Sequence, residues 1–328
     1  MPNKKEQPFS SVLEALLFSD DPPIHLLYRL SDLTAAEFEL FKKKWTGVDE
    51  ERRLVITRHL ADISEENYLV DFTPIFTQLF SDAAPAVRSA ALDGVWDSED
   101  THLIPQIIKL LQTDNNVGVR AAAARALAHY ILLGEWGQID ANHTSGIVEV
   151  LLNEYQKPLA SIEVKRAALE AVSPAPDPRI ADLILDAYEE GSDDMQLSAI
   201  FAMGNSADER WLPVLEQELT SPSADFRAEA ARACGMIGSE SSIDALQQLL
   251  TDEEMEVSVA AIYALGQIGG DEIIELLTRM AEDPDYEEFI DVIEEALDEM
   301  EWVDSSLDLM AFSDDDEDDD ILDDLRLN

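Results

Sequence analysis

Residues 226–238 read FRAEAARACGMIG, and residues 257–269 read VSVAAIYALGQIG. The two segments align without a gap at a separation of 31 residues. A fixed period of this size is the mark of a repeat architecture, so the search for further copies comes before any reading of single residues. Anchored on one alanine, the copies fall at Ala91, Ala123, Ala168, Ala199, Ala230 and Ala261, with steps of 32, 45, 31, 31 and 31. Three residues beyond each anchor stand Gly94, Ala126, Ala171, Ala202, Ala233 and Ala264, all small. Four residues before it stand Val87, Val119, Val164, Met195, Phe226 and Val257, all apolar. Offsets of −4, 0, +3 and +4 share one face of an α-helix, so this is a buried stripe at helical spacing. The small pair predicts that a neighbouring helix backbone comes close at that point.

A second apolar segment precedes each of these helices. THLIPQIIKLL, ERWLPVLEQEL, SSIDALQQLL and DEIIELLTRM occupy matching offsets, and Pro74, Pro105 and Pro213 share one early slot. Proline in the first turn of a helix removes only an N–H that lacks an intrahelical acceptor anyway. Turns such as SDAAP, TDNNVG and TSPSAD join the two helices and carry N-cap residues. The unit is helix–turn–helix, and eight such pairs are expected, with second helices centred near 56, 91, 123, 168, 199, 230, 261 and 292. The step of 45 implies an insertion near 133–146. Residues 1–33 form an N-terminal segment with a short capping helix, 34–303 the stack of pairs, and 304–328 an acidic tail expected to be disordered.

The pattern resembles the HEAT repeat, most closely its short form named after the phycobilisome lyases. That family's turn Asp and helix Arg, six apart, have counterparts in Asp82/Arg88 and Asp114/Arg120, and its ALGxIG ending in residues 264–269. The pair becomes Ser221/Arg227 and then Asp252/Ser258, while Lys165 and Gln196 replace the arginine elsewhere. The resemblance covers roughly 34–300. It implies an all-α, right-handed α-solenoid whose second helices line a concave face. It also raises one enzymatic alternative, since some proteins of this type attach or remove bilin chromophores.

Composition narrows the function. The 328 residues carry 70 acidic and 22 basic side chains, a formal charge of −48. Such a surface repels nucleic acid and anionic membrane, so neither is an expected partner. No stretch approaches the roughly 18 apolar residues of a membrane span. One cysteine and no recognisable secretory signal fit a cytoplasmic protein. From Tyr286 to Asn328 there are 19 acidic residues and one basic, with seven consecutive acids at 314–320. That tail reads either as a solvating segment or as a short docking motif built on Leu307, Leu309, Met310, Phe312, Ile321, Leu322, Leu325 and Leu327.

Signals for catalysis are weak. Cys234 aligns with Leu127, Val172, Met203 and Leu265, which makes it a small hydrophobe of the packed face. His25, His59, His102, His129 and His143 are scattered, none is followed by Glu, and no two have metal-ligand spacing. Iron hydroxylases built from such repeats rely on His-Glu pairs. In the acidic run, Asp319 and Leu325 occupy the slots where a calcium loop needs Gly and a bidentate Glu. No catalytic residue, metal or cofactor is assigned.

What remains is surface. Two residues past each anchor runs the column Asp93, Arg125, Glu170, Phe201, Arg232, Tyr263, with Arg120, Lys165, Arg166 and Arg227 on the same helices. Arginine and aromatic residues in alternation suit an interface. Arg120, Arg125, Arg166, Phe201, Arg232 and Tyr263 are therefore the candidate contacts for a protein partner, engaged by a monomeric adaptor or scaffold. The other reading is internal: Arg120 and Arg227 satisfy turn carboxylates and carbonyls, and Phe201 and Tyr263 tuck between repeats. A chaperone or decoy for a basic protein is a further possibility raised by the charge.

Overall fold

The computed structural model describes residues 7–19, 22–67 and 69–314, with side chains as far as Trp302. Among these residues are seventeen α-helices and no strand. Helix α1 (Phe9–Phe18) buries Val12, Leu13, Leu16 and Leu17 and is followed by a 3-10 segment, Ile24–Leu30. Eight helix pairs come next. They are α2 (Ala35–Trp45) with α3 (Glu50–Glu66), α4 (Thr73–Leu79) with α5 (Pro85–Asp93), and α6 (Ile104–Thr113) with α7 (Val117–Glu135). Then follow α8 (Ala141–Gln156) with α9 (Ile162–Val172) and α10 (Pro178–Glu190) with α11 (Asp193–Asn205). The last three are α12 (Leu212–Glu218) with α13 (Ala224–Ile237), α14 (Ile243–Leu249) with α15 (Met255–Ile268), and α16 (Asp271–Glu282) with α17 (Ile290–Asp314).

Local chemistry sets these boundaries. Thr34 and Glu37 form a reciprocal capping box at the start of α2, each side chain accepting from the other's backbone N–H. Pro74, Pro105 and Pro213 lie in first turns, as their spacing predicts. The turn aspartates fold back on the chain: Asp82, Asp114 and Asp252 accept from the backbone N–H two residues on, at 2.8, 2.8 and 3.0 Å. Each such Asx turn fixes both the chain reversal and the direction of its carboxylate.

The chain divides into two compact units, Met1–Leu183 and Ile184–Asn328, with the boundary inside α10. Within the first, the second helices pack in series, α3 on α5, α5 on α7 and α7 on α9. Within the second, α11, α13, α15 and α17 do the same. The six anchor alanines are fully buried. The flanking columns follow the stripe except at Ala126 and Phe226, which are only half-buried. Cys234 is fully buried, in keeping with its alignment to core residues.

Why the stripe is small becomes plain in the second unit. A Cβ built on Gly204 would lie 2.5 Å from the Cα of Ala233, and one on Gly235 would lie 2.7 Å from the Cα of Ala264. At Gly266 the nearest atom is the Cβ of Ala296, at 3.1 Å. Glycine of one second helix thus faces alanine of the next, rung after rung. The second glycine of each GxxG ending serves the backbone instead. Gly238 and Gly269 take φ of 73° and 76° where α13 and α15 stop.

The extra residues of the 45-residue step are mostly helical, with a turn at 136–140. They lengthen α7 to 19 residues and α8 to 16, against 14 in α13 and 7 in α14. The added turns bury Ile131 and Leu133 of α7 and Thr144, Ile147 and Val148 of α8. At the other end of the chain α17 continues to Asp314, past the expected boundary at 303. The apolar spacing of the sequence continues as well, through Val303, Leu307 and Met310. Residues 315–328, which hold most of the aspartate run, lie outside the described residues.

Alanine normally favours a helix over glycine by about 0.5–1 kcal/mol. At Gly204 and Gly235 the sign is expected to reverse, because the added methyl meets a neighbouring backbone; overpacking should cost roughly 1–3 kcal/mol in chemical denaturation. Gly146→Ala, where nothing lies within 4 Å, is the control and should stabilise. Ala230→Leu should destabilise by a similar margin, whereas Cys234→Ala should leave a folded, soluble protein.

Candidate functional site

The arginines three residues before the anchor follow one plan. Arg88 Nη1 donates to the Asp82 carbonyl oxygen at 2.8 Å, Arg120 Nη1 to that of Asp114 at 2.7 Å, and Arg227 Nη1 to that of Ser221 at 2.9 Å. These carbonyls lie at or just past the end of the first helix of each pair, where backbone oxygens lack intrahelical donors. Gln196 at the same position reaches the Tyr188 carbonyl at 2.7 Å, and Ser258 reaches that of Leu249 at 3.1 Å. Shorter or neutral substitutes therefore keep the same backbone role.

The remaining guanidinium nitrogens reach forward. Arg88 Nε and Nη2 each donate to a carboxylate oxygen of Asp114 at 2.8 Å. Arg227 grips Asp252 the same way, at 2.8 and 2.7 Å. The aspartate six residues earlier is thus not the carboxylate partner: Arg88 uses only the backbone of Asp82, and its carboxylate comes from the following repeat. The two pairs that look defective in sequence, Ser221/Arg227 and Asp252/Ser258, combine into one complete rung. Asp82 belongs to the rung before, paired with Arg53 Nε at 3.1 Å and accepting from Trp45 Nε1 at 2.8 Å. In the Arg88–Asp114 and Arg227–Asp252 rungs both partners are nearly covered, so the planar two-bond fork is worth more than an exposed ion pair.

The candidate contacts do not share one face. Arg120 stands at offset −3 and Arg125 at +2 on α7, roughly 140° apart around the helix. Arg120 is half-buried and Arg125 exposed. Arg125 faces Asp93 electrostatically; desolvation raises the pKa of that carboxyl, and Arg125 and Arg58 oppose the rise. Arg166 is half-buried and engaged within the structure. In the second unit the column is largely spent on the repeats themselves. Arg232 bonds Glu229 at 2.9 Å and Glu256 of α15 at 2.8 Å. Phe201 and Tyr263 are half-buried, which favours the internal reading over exposed contacts, and the Tyr263 hydroxyl donates to Glu295 of α17. Arg232 and Tyr263 at +2 thus reach the next second helix, which a single-helix projection does not reveal.

Other reactive groups stay apart. Burial pushes the Cys234 thiol up to about 11, so the nucleophilic thiolate is scarce near neutral pH. Burial lowers the His129 pKa against the opposing influence of Asp97 and Glu99, and no hydrogen-bond partner meets its Nε2 among the described residues. His102 pairs with Asp100 at 2.8 Å on the surface. Among the described residues no three His, Cys, Asp or Glu side chains gather as a metal-holding group. No helix among them is long and apolar enough to cross a membrane. Sequence reading missed two features: the inter-repeat direction of the arginine fork and the glycine column five residues past the anchor. Gly204, Gly235 and Gly266 were visible at steps of 31 and could have marked the second.

The Arg227 fork holds the Asp252 carboxyl below its ordinary 3.8, with burial opposing. A depressed carboxylate contributes stability that is present above the unfolded-state value and lost as pH falls through the folded-state one. Arg227→Gln should cost about 1.5–3 kcal/mol near neutral pH, the range for hydrogen bonds to charged groups. The gap from wild type should narrow as pH falls below about 4, read from urea midpoints across a pH series.

The family described as HEAT repeats matches residues 73–140 and 212–298. No curated protein matches the sequence. Among solved structures, human deoxyhypusine hydroxylase in complex with glycerol is 20% identical, with 89% of this chain and 96% of that chain covered and a TM-score of 0.33. The Escherichia coli protein YibA is 18% identical over 70% of this chain and 92% of its own, with a TM-score of 0.41. An engineered protein is 21% identical over 89% and 88%, with a TM-score of 0.38. The helix pairs, their small-residue seams and the family match agree: over residues 73–140 and 212–298 this chain is built of HEAT repeats.

Proposed function

We propose that the chain is a non-enzymatic, protein-binding scaffold, acting as a cytoplasmic monomer whose second-helix surface receives the partner. One observation carries this reading. In a chain with 70 acidic side chains, Arg120 and Arg125 on α7 have no carboxylate at bonding distance among the described residues. Most other arginines of the repeats are consumed by the fold. Two guanidinium groups on one helix with no carboxylate bonded to them are a resource for recognition.

Two further readings come from the same residues. A chaperone for a basic protein is favoured by the charge of −48, and steep salt dependence of its complexes would set it apart. A bilin lyase of the phycobilisome type is suggested by the resemblance in repeat length, Asp/Arg pairs and ALGxIG ending alone. Its mark would be a visible absorbance band on the protein purified from cells that make bilin.

The test is affinity capture from the native host with full-length protein, beside Arg120→Glu/Arg125→Glu. The scaffold reading expects a partner retained by the wild type and bound at least about tenfold more weakly by the variant, roughly 1.4 kcal/mol. A partner held equally well by both, or none at all, overturns it.

A further inference from the structure

The inter-repeat rungs supply a template for what Arg120 lacks. Arg88 and Arg227 each spend Nη1 on the carbonyl of their own turn and then place Nε and Nη2 on the aspartate of the next turn. Arg120 completes the first half of this plan, with Nη1 at 2.7 Å from the Asp114 carbonyl oxygen. The second half finds no carboxylate among the described residues. Counting nine back from the next anchor, Ala168, the slot held by Asp114 and Asp252 in their own repeats falls to Leu159. Leu159 is 99% exposed, so it neither supplies a carboxylate nor covers the guanidinium.

The surroundings keep Arg120 available. It lines a groove of about 480 Å³ together with Gln112, Lys157, Leu159 and Ser161. The nearby carboxylates are already engaged: Asp114 by Arg88, and the buried Glu154 by Lys157 at 2.5 Å. Arg120 therefore acts on the Asp114 carboxylate only through space, with no carboxylate bonded to its Nε or Nη2 among the described residues. Ser161, the N-cap of α9, makes no side-chain capping bond, and its covered Oγ has no hydrogen-bond partner among the described residues. A guanidinium fork, an unpartnered hydroxyl and a helix N-terminus all favour an anion at this place.

We propose that the α8–α9 turn is a receptor for an aspartate side chain presented by a turn of a partner protein, seated on Arg120 as Asp114 is on Arg88. The intact rungs specify the ligand. Asp114 Oδ1 also accepts from the amide of Asn116, and Asp252 Oδ1 from that of Glu254, so the accepted form is an aspartate fixed by its own Asx turn. Exposed Pro158 and Leu159 offer apolar contact to the residues beside it. This rests on the protein-binding reading above and assigns it a ligand class.

The test uses the full chain and the segment that Arg88 already grips. The probe is the acetylated, amidated peptide of residues 113–119, Thr-Asp-Asn-Asn-Val-Gly-Val, beside its counterpart with Asn in place of Asp114. Arginine Nε–H resonances are followed by NMR at low salt, with Arg120 assigned through its loss in Arg120→Lys. A saturable shift of the Arg120 signal with the Asp peptide, at least about tenfold weaker with the Asn peptide, is expected. Leu159→Asp, at an exposed position, should complete the rung, raise the melting temperature and abolish the peptide response. No shift, equal shifts with both peptides, or full binding by Leu159→Asp overturns the proposal. Equal response to inorganic phosphate would make the groove a general anion site and overturns it too. Failure here with partner capture intact sinks this site alone; loss of partner capture sinks the scaffold reading.

Discussion

The approach of one second helix to the next, closer than a methyl group allows at Gly204 and Gly235, is the constraint on which the second unit is built. Attraction between two carbon atoms is weak, but a seam without side chains lets many backbone atoms share it. The closeness also explains why so alanine-rich a chain packs well: bulk at the anchor would separate the helices and leave the larger apolar residues around them unsupported. Fully buried Cys234, Met203 and Leu265 then fill the space beside the seam, so the single cysteine is a matter of volume.

The arginine forks act across a different direction of the same stack. Each ties the end of a first helix, through a carbonyl, to the turn of the following repeat, through a carboxylate. One side chain thereby satisfies a helix terminus and fixes the register between neighbours. That double use accounts for arginine rather than lysine at Arg88 and Arg227, since an ammonium has no planar fork with which to do both. It also shows why an excess of acid is tolerated at the turns: Asp82, Asp114 and Asp252 are structural acceptors of both backbone and side-chain hydrogen bonds.

Much of the fold was legible because its cause is periodic. Eight helix pairs, three first-turn prolines and a row of small buried anchors follow from spacing alone. What the sequence did not disclose lies between repeats. The offset of six between Asp82 and Arg88 suggests a pair within one repeat, yet the fork points forward, because the helix carries the arginine past its own turn. For Phe201 and Tyr263 a single helix leaves an outward-facing and an internal reading open, and both prove half-buried, with Tyr263 bonded to Glu295 of the next second helix. The step of 45 announces an insertion near 133–146 but not its form, which is the continuation of two helices whose added turns pack on each other. Candidate contacts suffered most from this blindness, since an exposed arginine and an arginine already spent on a neighbour look alike in sequence.

The seam of the second unit has a consequence for how this chain grows and shrinks. Gly204, Gly235 and Gly266 present one shape, and Ala233, Ala264 and Ala296 present its complement. A repeat bounded by such faces is interchangeable with its neighbour: excision or duplication of a whole 31-residue module, as between Ala230 and Ala261, rejoins a surface to its own complement. The first unit lacks this property, because Trp96, Ala128 and Ser173 stand where the glycines would be and the extra turns of its long α7 and α8 have no counterpart in the other repeats. Length variation among related chains should therefore accumulate in the second half, in whole modules, while the first half keeps its size.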